Sequence, residues 1–514
     1  MNDPVLSEPH LKQTEWLVWG SIGFGLAVSV TLGFLSEGGY HDDGLTHYLY
    51  AQWAWNDAGY LADAWGRPGL TVLLFPLARL GWWACRLESA LLSAAAAWLA
   101  YDTAKRLGFR RAAWVPLLCW IQPLFLMASY TTLTETAAAL YLILAVRCLV
   151  AGRSNVAAMV FSLCLITRYE LWALTPIWAL ALWRSRTRWT AYALLLWAPL
   201  VHNLAGYLLL DRWPILFVIG ANHPDFYGAG PWLSMALKSM VACGPAVAVC
   251  ALAALAIRWP GVTGWVIPGL YAVHLMTQSG IFFFGGFSSG GYARFLVTAA
   301  PLAAICTVGV IESLVGARSV QHRALVGIIV AVVLMVVALE QEAAVAAETW
   351  IFLIDKAKPI VWSLAGAALL STGWMWVRPG RSPALLLGLT AMVGSVVLLG
   401  YLVRPHRASV DAEAVRAAVR WLETSPHAKA PVITANIWTC YYLDRGQNLI
   451  PPDSADILAN AQPGTVLVWD ANHATHARFG LTHENMQQRT QWRQVWQSRQ
   501  QLDGDCAAHI YVHR

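Results

Sequence analysis

Up to about residue 402 the chain alternates long apolar runs with short polar stretches, and beyond that point its character changes. The first run, Trp16 to Leu35, has about the 20 residues a helix needs to cross a bilayer. It lacks a strongly basic start and a small-residue cleavage site, so it reads as a retained anchor and not as a signal peptide. Later runs predict spans near 86–103, 112–128, 134–151, 155–167, 170–183, 189–209, 232–257, 262–279, 295–315, 324–341, 360–377 and 383–402. The short pair 155–167 and 170–183 flanks Thr167-Arg168-Tyr169-Glu170, which reads as the turn of a shallow hairpin or as a bend in one span.

From Arg404 onward the chain is rich in His, Gln, Asp and Asn and has no run long enough to span. Val410, Ala414, Val415, Ala418, Trp421 and Leu422 repeat at helical spacing. The segments 431–435, 464–470 and 509–513 read as short buried strands. The expected fold class is therefore an all-α polytopic membrane protein of about thirteen transmembrane helices, with a small C-terminal soluble α/β domain. The expected division is 1–403 for the membrane domain and 404–514 for the soluble one.

Composition agrees with the pattern. Hydrophobic residues make up 58% and charged residues only 12% of 514 positions, where a soluble domain carries about 25% charged residues. The net charge of +6 is no nucleic-acid footprint, because the basic residues sit in short clusters between apolar runs. Those clusters are Lys105 to Arg111, Arg153, Arg184 to Arg188, Arg258, Arg318 with Arg323, and Arg378 with Arg381. Placing each on the cytoplasmic side gives a consistent alternation. The N-terminus is then cytoplasmic, and Asp42 and the C-terminal domain lie outside. Most of the 28 Trp read as an interfacial belt. Of nine cysteines, seven lie in or beside apolar runs, where Cys behaves as a small hydrophobe. Cys440 and Cys506 either pair in an oxidising compartment or remain two buried thiols.

Asp42 and Asp43 follow the first span in His41-Asp42-Asp43-Gly44. Carboxylates are costly beside hydrocarbon, so the pair reads as a functional site, against the plainer alternative of solvated loop residues. The same loop holds His47, Tyr48, Tyr50, Trp53 and Trp55, and Leu45 to Ala58 fits an amphipathic helix lying in the interface. A second loop, Leu210 to Pro231, carries Asp211, Arg212, Asn222, His223, Asp225 and Tyr227. A third ends in Gly290-Gly291-Tyr292-Ala293-Arg294, where glycines permit close backbone approach to a ligand or simply make a turn. Glu135 opens a span, as a first-turn residue suited to the helix dipole or as a functional acid. Arg168 and Glu170 either pair with each other or serve a site. Arg294, outside against the positive-inside trend, suits a phosphate.

Carboxylates Asp42, Asp43 and Glu135 with cations Arg168 and Arg294 suit transfer of a sugar from a lipid-linked phosphate. An arginine holds the leaving phosphate as charge develops. A carboxylate takes the proton of an acceptor hydroxyl. His41, Asp42, Asp43 and His47 also offer metal-ligand chemistry. No essential metal is favoured, with a divalent cation as the alternative. His473, His476 and His483 read as solvated surface.

The chain resembles the C-type glycosyltransferase superfamily, GT-C, and within it the branch of protein O-mannosyltransferases and the lipid A aminoarabinose transferase. The matching features are Asp42-Asp43 after the first span, Thr134-Glu135 opening a span, Thr167-Arg168-Tyr169-Glu170, and Tyr292-Ala293-Arg294-Phe295 before Pro301. They cover roughly residues 14 to 402. The branch often carries Asp-Glu where this chain has Asp-Asp. The resemblance implies inverting transfer from a polyprenyl-phosphate sugar to a lipid, glycan or protein acceptor among membrane lipids, with a first-loop aspartate as base. Asp42 is preferred to Asp43 for that role. Glu135, with His41, His47 and Tyr292, is expected to bind acceptor, and Arg294, with Arg168 behind it, the donor phosphate. Oligosaccharyltransferase relatives use a divalent ion, whereas the nearer branch transfers without one. Mannose is the favoured sugar. The competing class is a transporter or flippase for lipid-linked glycan intermediates, but the ionisable residues gather on one face and not at the bilayer midplane.

Overall fold

The computed structural model describes residues 8–216, 229–261, 263–286, 290–315, 318–345, 358–368, 370, 384–444, 458, 461–475, 481–502 and 505–514. Most of the second loop, with Asn222, His223, Asp225 and Tyr227, lies outside these residues, as do Ser288, Ser289, His476 and much of the span expected at 360–377. The chain divides into two compact units, one of residues 1–33 with 61–404 and one of 34–60 with 405–514. Residues 34–60, which fall within the 1–403 expected as the membrane domain, group here with the C-terminal segment.

The first unit is helical and apolar. Among the described residues, five helices are long and apolar enough to cross a membrane: Glu15–Leu35, Trp189–Leu210, Val266–Phe283, Ala293–Val315 and Gln321–Gln341. Shorter apolar helices include Pro68–Ala78, Ser154–Thr167 and Leu389–Leu402. The expected count of thirteen spans is not reproduced as thirteen long helices, and proline explains two of the differences. The span expected at 112–128 breaks between Val115–Trp120 and Pro123–Ala128. Pro123 has no N–H to donate and its ring crowds the preceding turn. The Gln122 amide bridges the break, donating to Leu118 O at 3.0 Å and to Ala300 O at 2.9 Å. The span expected at 232–257 breaks at Gly244-Pro245, where Gly244 holds φ +78 between Ser234–Cys243 and Pro245–Ala253.

Alanines let these helices approach closely, since small residues bring helix backbones together where no hydrophobic force separates protein from lipid. Ala96, Ala97, Ala100 and Ala104 are fully buried on Trp82–Arg106, and Ala137, Ala138 and Ala139 on Thr134–Val150. These two helices pack together, and Thr134–Val150 also packs against Ser154–Thr167. Trp178 and Phe161, both fully buried, stack with ring centroids 4.5 Å apart within the core.

The second unit is α/β. Its sheet runs β1 (Val432–Thr434), β2 (Val466–Asp470), β6 (Ala508–His513) and β3 (Trp492–Gln497) in spatial order. β1 and β2 are parallel in register Val432↔Val466, and β2 and β6 antiparallel in register Val468↔Ile510. Every residue of β2 is buried, which is why it reads as a continuous apolar run. The edge strand β3 was not legible, because its polar Arg493, Gln494 and Gln497 face outward, as edge strands require. A small pair, β4 (Gln501–Leu502) and β5 (Asp505–Cys506), completes the strands among the described residues.

Helix Val410–Thr424 packs on β2 and β6, starting at the N-cap Ser409, whose Oγ accepts from Ala412 N. The first-loop helix Asp42–Trp53, in which Leu45, Tyr48 and Leu49 are buried, packs on helix Ile437–Leu443. Tyr48 meets Tyr441 edge-on at 6.3 Å. Of the aromatics expected at the lipid interface, Tyr48 thus packs on protein and Trp55 is exposed. Glu37 N and Gly38 N both donate to His406 O, tying the loop's start to the C-terminal segment. Cys440 and Cys506 are unpaired thiols, and burial pushes that of Cys440 up to about 12.

Candidate active site

The residues singled out from sequence fall into two groups, one in each unit. In the second unit Asp42 opens the first-loop helix, whose N-cap His41 accepts from Asp43 N at 3.3 Å. An acid in the first turn suits the positive end of the helix dipole. His41 Nδ1 lies 3.2 Å from Asp43 Oδ2, so those two residues serve one another, and His47 is buried on the same helix.

Asp42 is held by the C-terminal segment. Its Oδ1 accepts from the indole Nε1 of Trp438 at 2.9 Å, and its Oδ2 lies 3.1 Å from His473 Nε2. The other nitrogen of that ring, Nδ1, lies 3.2 Å from Asp470 Oδ1, 3.7 Å from Asp411 Oδ2 and 3.1 Å from Asn436 Nδ2. The local chain explains the placement. Asp470 ends β2, and its Oδ1 accepts from the backbone of Asn472 and of His473. This Asx turn delivers the His473 ring to the end of the sheet. His473 and His483, expected on solvated surface, are both half-buried. His473 sits among three carboxylates, and His483 stacks on His509 at 4.5 Å while bonding the Tyr511 hydroxyl.

These contacts set the ionisation. Burial alone would raise the Asp42 carboxyl, but the hydrogen bond and charge of His473, the Trp438 indole and His41 outweigh it and hold the group below the ordinary aspartate range. Burial likewise opposes charge on His473, yet Asp42 and Asp470 outweigh it and raise the imidazole to about 10. Asp42⁻ and His473⁺ are thus both charged at neutral pH. Among the described residues, the group with metal-ligand spacing is Asp42, Asp411 and His473, their ligand atoms all within 4.8 Å of one another. Of the four first-loop residues credited with ligand chemistry, it includes Asp42. One imidazolium offsets only one of the three carboxylates around it, and a metal bound there would have to displace its proton.

In the first unit Glu135, Arg168 and Arg294 meet. Glu135 is 1% exposed, and its Oε1 lies 2.8 Å from Arg168 Nη1 and 3.7 Å from Arg294 Nε. Arg168 also pairs with Glu170, which in turn accepts from Gln278 Nε2 at 3.3 Å. The pairing of Arg168 with Glu170 and the first-turn position of Glu135 are both present alongside the wider network. Two guanidiniums thus balance two carboxylates in a buried cluster, as burial demands. Arg168 leaves Ser154–Thr167 in an extended conformation and lies 4.5 Å over the Phe295 ring. Tyr292 flanks Arg294 with 5.3 Å from guanidinium to ring. Lys238, not singled out from sequence, is buried 3.9 Å over the ring of Phe282.

No protein-family model matches the chain, and no curated protein matches it. Its fold is nonetheless similar to that of solved ArnT structures, and five of its described helices are long and apolar enough to cross a membrane. Two solved structures carry this finding. ArnT from Cupriavidus metallidurans bound to undecaprenyl phosphate aligns over 97% of this chain and 98% of its own, at 13% identity and a TM-score of 0.58. The apo state of the same protein aligns over the same shares, at 12% identity and a TM-score of 0.61.

Proposed function

We propose that the chain is an integral-membrane glycosyltransferase that moves a sugar, with mannose favoured, from a polyprenyl-phosphate donor to a lipid, glycan or protein acceptor. The observation that carries this reading is the likeness to ArnT over nearly the whole of both chains, in a structure where that protein binds undecaprenyl phosphate. The acceptor oxygen attacks the anomeric carbon with inversion as the bond from that carbon to the phosphate oxygen breaks. The polyprenyl phosphate leaves with the bonding electron pair, and Asp42 takes the acceptor's hydroxyl proton. A carboxylate kept ionised by its neighbours is ready to accept it. In this reading the membrane is a bacterial plasma membrane, and the charge alternation along the chain supports a cytoplasmic N-terminus with the C-terminal domain on the far side.

For the donor phosphate, Arg294 is preferred to Arg168. Its contact with Glu135 is the looser one, 3.7 Å against 2.8 Å, so a phosphate displaces less when it takes this guanidinium over. This reading favours no essential metal, with the His473 ring occupying the place among Asp42, Asp411 and Asp470 that a cation would otherwise take. Tritiated undecaprenyl-phosphate mannose, incubated with the reconstituted protein and membranes from cells lacking it, provides the test. We expect Asp42→Asn to lower transfer about 10²–10⁴-fold. Transfer retained by both Asp42→Asn and Asp43→Asn would refute the base assignment. Chelation of divalent cations is expected to leave the rate unchanged, and a rate restored only by added cation would overturn the metal-free reading.

A further inference from the structure

Asp42 has a fixed donor on each carboxylate oxygen, and both donors come from the C-terminal segment. Trp438, on one side, is 1% exposed and follows the N-cap Asn436, whose side chain accepts from Trp438 N at 2.8 Å. On the other side, His473 is aimed by the Asx turn at the end of β2, with Asp470 fully buried beneath it. A ring gripped at Nδ1 by an immobile carboxylate has one direction left for Nε2, and that direction is Asp42. The ring belongs to no element that the resemblance singled out.

We propose that His473 is a positioning residue of the transfer reaction: gripped by Asp470, its ring orients the Asp42 carboxylate, so the C-terminal domain takes part in the chemistry. The proposal rests on the reading of Asp42 as the base. The charged and titratable groups around the pair are few. His41 and Asp43 come from the first-loop helix, Asp411 from helix 410–424, Asp470 from β2, and Tyr441 and Tyr442 from helix 437–443. Opposite Asp470 on β6 stands Ala508, which does not titrate. The ordering acts on both oxygens, so the lone pair left for the acceptor proton has a defined direction. Misplacement of a reacting group by about 1 Å costs on the order of 10²-fold in rate.

Two variants of the full-length protein in nanodiscs separate orientation from charge. His473→Gln retains a donor toward Asp42 without the charge, and His473→Ala removes both. In the mannose-transfer assay we expect kcat to fall about 10²-fold in His473→Ala with KM for the donor little changed. His473→Gln is expected to lose less, and in both variants the acid limb of the pH–rate profile should move to higher pH. With ¹⁵N-histidine labelling, the imidazole signal absent from His473→Gln should titrate near its raised value in the parent protein and at lower pH in Asp42→Asn. Unchanged kcat and pH limb in both variants, with Asp42→Asn inactive, would overturn the role of His473 and leave the base assignment standing. An active Asp42→Asn would instead remove the base assignment. If neither variant folds, an imidazole signal that does not respond to Asp42→Asn still overturns the proposal.

Discussion

Glu135 and Arg168 show what a buried charge requires. Neither can face hydrocarbon alone, and each is found against the other at 2.8 Å with Arg294 and Glu170 in attendance. Removing one partner leaves an uncompensated charge, so Glu135→Gln is expected to destabilise the membrane unit by about 3–5 kcal/mol, read as a lower melting temperature in detergent. The pair Asp42 and His473 makes a pH prediction with a definite sign. A histidine raised to about 10 contributes stability that is complete below its unfolded value of about 6.5 and is lost as pH rises toward 10. An aspartate held below its ordinary value contributes stability present above about 3.9 and lost as pH falls below it. Amide exchange of the first-loop helix should therefore be slowest between about pH 4 and 6.5 after correction for intrinsic rates, and a flat profile would contradict the pairing. At this scale the sequence showed which residues were costly, but it did not show the partners. Asp42 lies 431 positions from His473 in the numbering, and no local pattern links them.

Helices and strands were legible where a single face or a whole run is apolar. Helix 410–424 follows its apolar spacing from a serine cap, and Ser409→Ala should cost about 1 kcal/mol in a stability measurement on that unit. The fully buried β2 was legible for the same reason, whereas β3, with polar residues on its open edge, was not. Membrane helices were readable as runs but not as unbroken rods, because hydropathy does not register where Pro123 and Pro245 cut them. Close packing sets the tolerance at such elements. A Cβ on Gly69, at the start of Pro68–Ala78, would collide with Thr167 Oγ1 on Ser154–Thr167. Gly69→Ala is thus expected to destabilise by about 1–3 kcal/mol through overpacking.

The second unit of the molecule is discontinuous in sequence, joining 34–60 to 405–514. A fragment of 405–514 alone lacks the helix 42–53 that packs on helix 437–443, so it should show weak near-ultraviolet dichroism and fast amide exchange, both restored by fusing 34–60 to it. A fragment that folds equally well alone would contradict the division. The sequence by itself determined the class: long apolar runs with sparse charge leave a chain no stable state outside a membrane, and a polar tail with short buried strands must fold beside it. It also marked Asp42, Glu135, Arg168 and Arg294 as residues whose placement needs a reason. Only the tertiary structure decided which groups answer that need, because a charge is compensated by whatever lies within a few ångströms of it. Proximity of that kind arises from chain segments hundreds of residues apart, and composition and periodicity carry no record of it.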